Sequence, residues 1–347
     1  MRQKESLTKL DGPAKQSDVA RLSGVSTATV SLVLAGRTDR VSEATRQKVF
    51  EAIRTLNYRA PAMDVRSQGA TSRTIGLLAP NLTEMPITRD VIFRSFLDRI
   101  LTECLFRNWG VLVMAENVWD DHGHSIRRSY DGKCDGVIIL GPEEDEMVRP
   151  FLERGVPIVQ VGITKRTESI SCIDVDNAEI GRLTAKVLYD AGHRSFAFIG
   201  SQGFTTSVER QEAFEREAKL LGATVTVYES PTWFPRDDLK VLVPKWMEQG
   251  VTAAFCWCDV FACYLYKALT KIGAKVPRDM SVVMVEGSLI RNLRPAPTGF
   301  NLPFDELAKA AVDTIIHQIE TGDTTPRSVR FPARFAARSS VAPPRKS

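Results

Sequence analysis

Short polar side chains at the start of a short helix are shaped to meet the edges of DNA bases, and residues 26–32 supply a set of them. Ser26, Thr27, Ala28, Thr29, Ser31 and Leu32 stand in the run 17–34, SDVARLSGVSTATVSLVL. The run reads as two helices joined by a tight turn. Ser17 is placed to cap the first, because a serine hydroxyl accepts an orphan N–H at a helix start. Val19, Ala20 and Leu22 form its buried side. Gly24 marks the turn, since glycine takes positive φ without steric cost. Ser26 caps the second helix. There Val30, Val33 and Leu34, at i, i+3 and i+4, face inward and leave Thr27, Ala28, Ser31 and Leu32 on the other face. Such a pair fits the major groove of DNA. On pattern alone, any small helical bundle fits as well.

A helix pair buries too little apolar surface to stand alone, so a third element has to close its core. Ser42 is a suitable cap before a helix over 43–56, with Val49, Ile53 and Leu56 at helical spacing and Asn57 as its stop. Residues 1–15 read as a polar arm, 16–60 as the helical head and 61–74 as a connector. From residue 75 short apolar runs alternate with amphipathic stretches. The runs cover 75–80, 109–115, 136–140, 157–161, 195–200, 223–228, 253–258 and 281–285. Helical patterns cover 91–108, 178–191, 207–221, 236–249, 260–272 and 305–321. Alternation at this spacing implies parallel sheets covered on both faces. The pattern opens at Ile75 and again at Phe196, which implies two lobes: one of 75–173 and 303–325, the other of 174–302 and 326–342. A closing strand is expected over 329–335 and a tail over 343–347. The fold class is a small all-α helix-turn-helix domain plus two doubly wound parallel-sheet α/β lobes.

Composition bounds the rest. The chain has 347 residues, is 43% hydrophobic and carries a net charge of +4. Residues 1–67 hold twelve Lys/Arg against seven Asp/Glu, a net +5, so the remainder is nearly neutral at −1. Positive charge confined to the head is what phosphate neutralisation requires. No run of about 18 apolar residues exists to span a membrane, and the N-terminus lacks the apolar core of a signal peptide. The six cysteines show neither disulfide-framework nor zinc spacing and read as buried reduced thiols. A cytoplasmic location without metal or cofactor is expected. No glycine-rich dinucleotide fingerprint, Walker pattern, Gly-x-Ser-x-Gly elbow or metal cluster is present, which speaks against an enzyme on this scaffold.

The residues Asp18-Val19-Ala20, Gly24-Val25-Ser26, Thr29-Val30-Ser31, Val41-Ser42, Thr45-Arg46 and Leu56-Asn57-Tyr58 keep one order at one spacing. In this they resemble the DNA-binding head of the LacI/GalR family of bacterial transcription regulators. Looser landmarks extend the resemblance over residues 16–342: Asp176-Asn177, Gly192-His193-Arg194, Asp259, Val276-Pro277-Arg278-Asp279, Ser281-Val282-Val283, and Pro295 with Thr298. It implies lobes of the periplasmic-binding-protein type, a ligand cleft at the carboxyl ends of the strands, a homodimer on a near-palindromic operator, and regulation, usually repression, by a small molecule such as a sugar or related metabolite. Control of the lobes by a protein partner, or by no ligand, stays open.

The resemblance also assigns residues. Thr27 and Ala28 would meet base edges, with Ser26, Thr29 and Ser31 near phosphates and Ser17 and Tyr58 in the same DNA-facing set. Leu32 stands where the family usually has a guanine-reading arginine, and it either faces the groove or is packed. Val65, Arg66 and Gln68 align with the hinge, which in the family wedges leucines into the minor groove. Gln68 is a poor wedge, so a plain flexible linker is the alternative. In the cleft, Arg210 would bind ligand hydroxyls or carboxylates or pair with Glu286. Glu286 would bind ligand hydroxyls. Trp233 would stack on the ligand or pack its loop, and Asp259 would contact ligand or cap its helix. His193 is expected to belong to a turn. Gly162 and Leu302 stand where polar contacts are common, which suggests a ligand less hydroxylated than a simple hexose.

Overall fold

The structure is a computed structural model. It describes residues 14–34, 41–56, 58, 71–78, 91–114, 133–140, 148, 151–153, 155–162, 169–202, 204–231, 238–285 and 293–345. By its contacts the chain divides into two units, Met1–Ser72 and Arg73–Ser347.

In the first unit, α1 (Gln16–Ser23), α2 (Thr27–Leu34) and α3 (Glu43–Leu56) enclose one apolar core. Val19, Val30 and Val49 lie at its centre, with Ala20, Val33, Ala52 and Tyr58 around them. Helix α1 starts two residues earlier than a cap at Ser17 requires. Lys15 is the N-cap, and its backbone N–H goes to the Asp18 carboxylate at 2.9 Å, so Ser17 is an exposed residue of the first turn. Gly24 ends the helix at φ 71°. Ser26 Oγ then accepts the Thr29 N–H at 3.1 Å, and Ser42 Oγ accepts that of Thr45 at 3.3 Å. Gln16 Nε2 donates to the Thr27 carbonyl at 3.1 Å and ties α1 to the start of α2. Leu34 departs from the expected inward face and is 38% exposed, because Val30 and Val33 already fill that side of the core.

The second unit holds two six-stranded sheets. The strands are β1 (Thr74–Leu78), β2 (Gly110–Met114), β3 (Gly136–Leu140), β4 (Ile158–Val161), β5 (Ser171–Val175), β6 (Ser195–Ser201), β7 (Thr224–Ser230), β8 (Ala253–Cys256), β9 (Ser281–Val285), β10 (Thr298–Asn301), β11 (Ser328–Phe331) and β12 (Arg334–Ala336). The first sheet runs β2-β1-β3-β4-β5-β11 and the second β7-β6-β8-β9-β10-β12. Every pairing is parallel except β10 with β12. The two sheets therefore repeat one doubly wound order, as the two openings in the sequence imply. Among the described residues the helices between strands are α4 (Val91–Phe106), α5 (Asn177–Asp190), α6 (Thr205–Leu220), α7 (Asp238–Glu248) and α8 (Asp259–Lys271), with α9 (Phe304–Thr321) after β10.

The crossing points differ from the expected lobe limits. Strand β5 carries the first sheet through Val175, beyond 173. The stretch 329–335 is not one strand. Residues 328–331 join the first sheet as β11, although 326–342 was assigned to the second lobe, while 334–336 join the second sheet as β12. Pro332 supplies no N–H for a ladder, so it ends one pairing before the other begins. Helix α9 lies on the first sheet. A Cβ on Gly136 would meet Ile315 at 2.9 Å, Gln318 Nε2 donates to Ser171 Oγ at 2.9 Å, and Asp313 accepts from Arg107 at 2.7 Å. The buried strands read as near-continuous apolar runs, as parallel sheets covered on both faces require.

Candidate functional site

Two places gather residues fitted to recognition, one in each unit. In the first unit the start of α2 presents Ser26, Thr27 and Ala28 to solvent. The Ser26 side chain is committed to the cap, at 3.1 Å from the Thr29 N–H and 2.9 Å from its hydroxyl. Ser31 and Leu32 are half-buried one turn later. The helix start thus offers unpaired N–H groups and small side chains outward, a shape that admits a phosphate or a base edge. Tyr58 does not belong to this face. It is 6% exposed and packed into the three-helix core, where its ring supplies the closing apolar mass. Val65, Arg66 and Gln68 lie outside the described residues.

In the second unit the carboxyl ends of β5 and β8 meet at Arg210. This residue sits on α6 and is 5% exposed. Its Nε donates to Asn177 Oδ1 at 2.8 Å, and its Nη1 to the Trp257 carbonyl, just past β8, at 2.7 Å. Asn177 opens α5. Its Nδ2 donates to Asp174 Oδ2 at 2.8 Å, while Asp174 Oδ1 takes the Val175 N–H at 2.7 Å. A carboxylate at the end of the first sheet is thereby linked through one amide to a guanidinium of the second lobe.

Burial governs the charges. It pushes Asp174 up to about 6 against the Val175 amide and Arg210, which both pull it down. It pulls Arg210 down to about 10 against the attraction of Asp174. Helix α6 is held close by Gly181 on α5, where a Cβ would lie 2.2 Å from the Arg210 carbonyl oxygen and 2.9 Å from the Phe214 nitrogen. At its start, Ser207 Oγ accepts the Ser201 N–H at 3.1 Å, and Glu209 pairs with Arg330 of β11 at 3.1 Å.

Aromatic rings flank these polar groups. Phe204, the N-cap of α6, faces the Trp257 ring at 5.2 Å with a tilt of 30°, and Phe261 meets Trp257 edge-on at 5.9 Å. Cys258 caps α8 and is buried, which pushes its thiol up to about 12. Asp259 is therefore the first residue of the helix and not its cap; it is buried there, at the end that favours a carboxylate. Gly162 follows β4 at φ 82°, and a Cβ there would meet nothing within 4 Å. Leu302 is half-buried against the core. Trp233 and Glu286 lie outside the described residues.

Sequence reasoning found Arg210 but missed Asp174, Asn177 as its partner, Phe204 and Trp257. The run Asp176-Asn177 was visible, but only the fold shows that Asp176 caps α5 through the Glu179 N–H at 2.9 Å while Asn177 turns inward. His193 is likewise no simple turn residue. It is buried, with Nδ1 at 2.8 Å from Thr252 Oγ1 and Nε2 at 2.9 Å from the Ala342 carbonyl, and it fastens residues 340–342 beneath the second sheet. Among the described residues no His/Cys/Asp/Glu group is arranged to hold a metal, and no helix is long and apolar enough to cross a membrane.

Comparison with known proteins gives concordant results. Residues 17–60 match the family of bacterial regulatory proteins, lacI family, and residues 169–341 match a periplasmic binding protein-like domain. The chain is 30% identical over 336 residues to the HTH-type transcriptional repressor PurR of Vibrio atlanticus (strain LGP32), covering 93% of this chain and 97% of that protein. Its fold is similar to that of the lac repressor dimer bound to operator and the anti-inducer ONPF, with a TM-score of 0.76 at 21% identity over 95% of this chain and all of that one (100%). It is also similar to a transcriptional regulator CelR–cellobiose complex, with a TM-score of 0.68 at 23% identity over 94% and 99% of the two chains.

Proposed function

The chain belongs to the lacI family of bacterial regulatory proteins, and on that premise we propose that it is a sequence-specific transcriptional repressor whose hold on DNA is set by a small molecule bound between its two lobes. The observation that carries this reading is the capped, solvent-facing start of α2 on a three-helix core, in a chain whose excess positive charge is confined to the head. Thr27 and Ala28 meet base edges; Ser17, Ser26, Thr29 and Ser31 lie by phosphates. Val65, Arg66 and Gln68 form the connector that reaches the minor groove. A homodimer sets two heads on a near-palindromic operator, matching protein symmetry to DNA symmetry. The protein works in the cytoplasm and is not an enzyme.

Arg210 binds the effector, with Gly162, Leu302, Asp259, Trp233 and Glu286 around the same cleft. Bound effector favours one angle between the lobes and so one population of head arrangements able to span both half-sites. The test is selection of duplexes from a random pool by the full chain, followed by binding measurements at rising salt. The expected result is a two-fold-symmetric site whose affinity falls steeply with salt. Binding no tighter to the selected duplex than to random DNA would refute the reading.

A further inference from the structure

We propose that two crossed ion pairs, Arg330 with Glu209 and Arg334 with Glu306, form a latch that fixes the angle between the two lobes and, through it, the hold on DNA. The second half rests on the reading of the chain as an operator-binding regulator. Arg330 and Arg334 stand on either side of Pro332-Ala333, where the chain passes from the first sheet to the second. Arg330 lies on β11 of the first sheet and pairs with Glu209 of α6 at 3.1 Å. Helix α6 packs on the second sheet, with Phe214 against Phe196 and Phe198 of β6 at 5.7 and 6.3 Å. Arg334 lies on β12 of the second sheet and pairs with Glu306, in the first turn of α9, the helix packed on the first sheet. Each arginine thus belongs to one lobe and holds a helix of the other.

The first pair stands beside the buried link already described. Arg330 is the register partner of Asp174 in the ladder of β5 and β11, and on α6 Glu209 precedes Arg210. The first sheet therefore carries an anion and a cation side by side, and α6 answers with a cation and an anion. Asp174 reaches Arg210 through Asn177, and Arg330 reaches Glu209 directly. The opposite pairing, Asp174 with Glu209 and Arg330 with Arg210, would set like charge against like. The four charges thus select one seating of α6 against the first sheet. Arg330 and Glu209 are 34% and 26% exposed, so salt screens them only in part. The Asp176 N–H donates to the Phe331 carbonyl at 2.9 Å and ties the end of β11 to the start of α5. A turn of the lobes that carries Glu209 about 1 Å farther from Arg330 breaks the pair. Arg334 and Glu306, at 74% and 39% exposed, form the weaker member.

The test is small-angle X-ray scattering of the full chain, with titration of the duplex it selects from a random pool. The variants are Glu209→Gln, Arg330→Gln, Arg330→Lys and the double change of Glu209→Gln with Arg330→Gln, and thermal unfolding identifies those that keep the fold. Either neutral variant should raise the radius of gyration and change operator affinity by at least about threefold, both in the same direction. The double variant should go no further than either single one, and Arg330→Lys should stay near the parent. Glu306→Arg together with Arg334→Glu should restore what Arg334→Glu alone disturbs. Scattering and affinity equal to the parent's in both neutral variants overturn the proposal. So do effects that add in the double variant, since they mark two separate sites. A raised radius with unchanged affinity overturns the latch's control of DNA. Should Arg330→Gln not fold, Glu209→Gln and the exchange at 306 and 334 decide. A parent that prefers no duplex refutes the reading as a repressor, and scattering alone then decides the latch.

Discussion

Arg210 gives its Nε–H to the side-chain oxygen of Asn177 at 2.8 Å, and this bond decides which way round the Asn177 amide stands. With the oxygen toward the guanidinium, the nitrogen points to Asp174 Oδ2 at 2.8 Å. One neutral side chain thus bridges a buried cation and a buried anion, giving one hydrogen bond to each. Asn177→Leu keeps the volume and removes both bonds. It should cost roughly 3 kcal/mol of stability, since it takes one hydrogen-bond partner from each of two buried charged groups. Urea unfolding followed by circular dichroism measures this; a change below about 0.5 kcal/mol would show that the link carries no weight.

Gly181→Ala is expected to act on the same site from the back. The added methyl would lie 2.2 Å from the Arg210 carbonyl oxygen, backbone that cannot turn aside. Helices α5 and α6 must part, at a cost of about 1–3 kcal/mol or more, and Arg210 moves with α6. The unfolding temperature should fall, and so should the affinity of any ligand that uses the guanidinium. A variant as stable as the parent would mean that the helices are free to separate.

Acid stability should carry two opposing signatures. Burial holds His193 below its ordinary value of 6.5. The unfolded chain therefore takes up a proton first, and stability present above 6.5 is lost as pH falls from there toward the folded value. Asp174 works the other way. Its folded value of about 6 exceeds the ordinary 3.8, so the native state binds the proton first and gains stability as pH falls from about 6 toward 3.8. His193→Gln should flatten the decline below 6.5 and leave the gain from Asp174 visible. Unfolding midpoints taken across this range provide the check, and an unchanged slope in the variant would exclude His193 as its source.

At the head, Ser26→Ala removes the acceptor for the Thr29 N–H and should lower stability by about 1 kcal/mol. Leu32→Arg should leave the fold intact, because Leu32 is only half-buried, and should add preference for guanine at one position of each half-site. Repeating the duplex selection with the variant measures that change. The same selected sequence from both proteins would place residue 32 away from the groove.

Much of this architecture was legible because periodicity reports burial. The helices of the head, the apolar runs of β1, β3, β8 and β9 and the long helix α9 all announce themselves. Strands β5 and β10 do not. Ser171-Cys172-Ile173-Asp174-Val175 breaks its apolar run with a carboxylate that is buried only because Asn177 and the Val175 amide receive it. Thr298-Gly299-Phe300-Asn301 is short, and its glycine is required because a Cβ would stand 2.1 Å from the Met284 carbonyl oxygen. The site was half legible for the same reason. An arginine at 210 can be read from a motif, but the partners that orient it, Asn177 and the Trp257 carbonyl, lie 33 and 47 residues away, and only folding brings them together.

The two residues Pro332 and Ala333 that join β11 to β12 set a mechanical limit on the molecule. Three chain steps separate Phe331 from Arg334, a reach of roughly 11 Å at full extension. The outer strands of the two sheets are thus tethered on one flank, while β2 and β7 end the same sheets on the far flank. Phe331 and Arg334, and with them the neighbouring ends of the two sheets, can never stand farther apart than that reach.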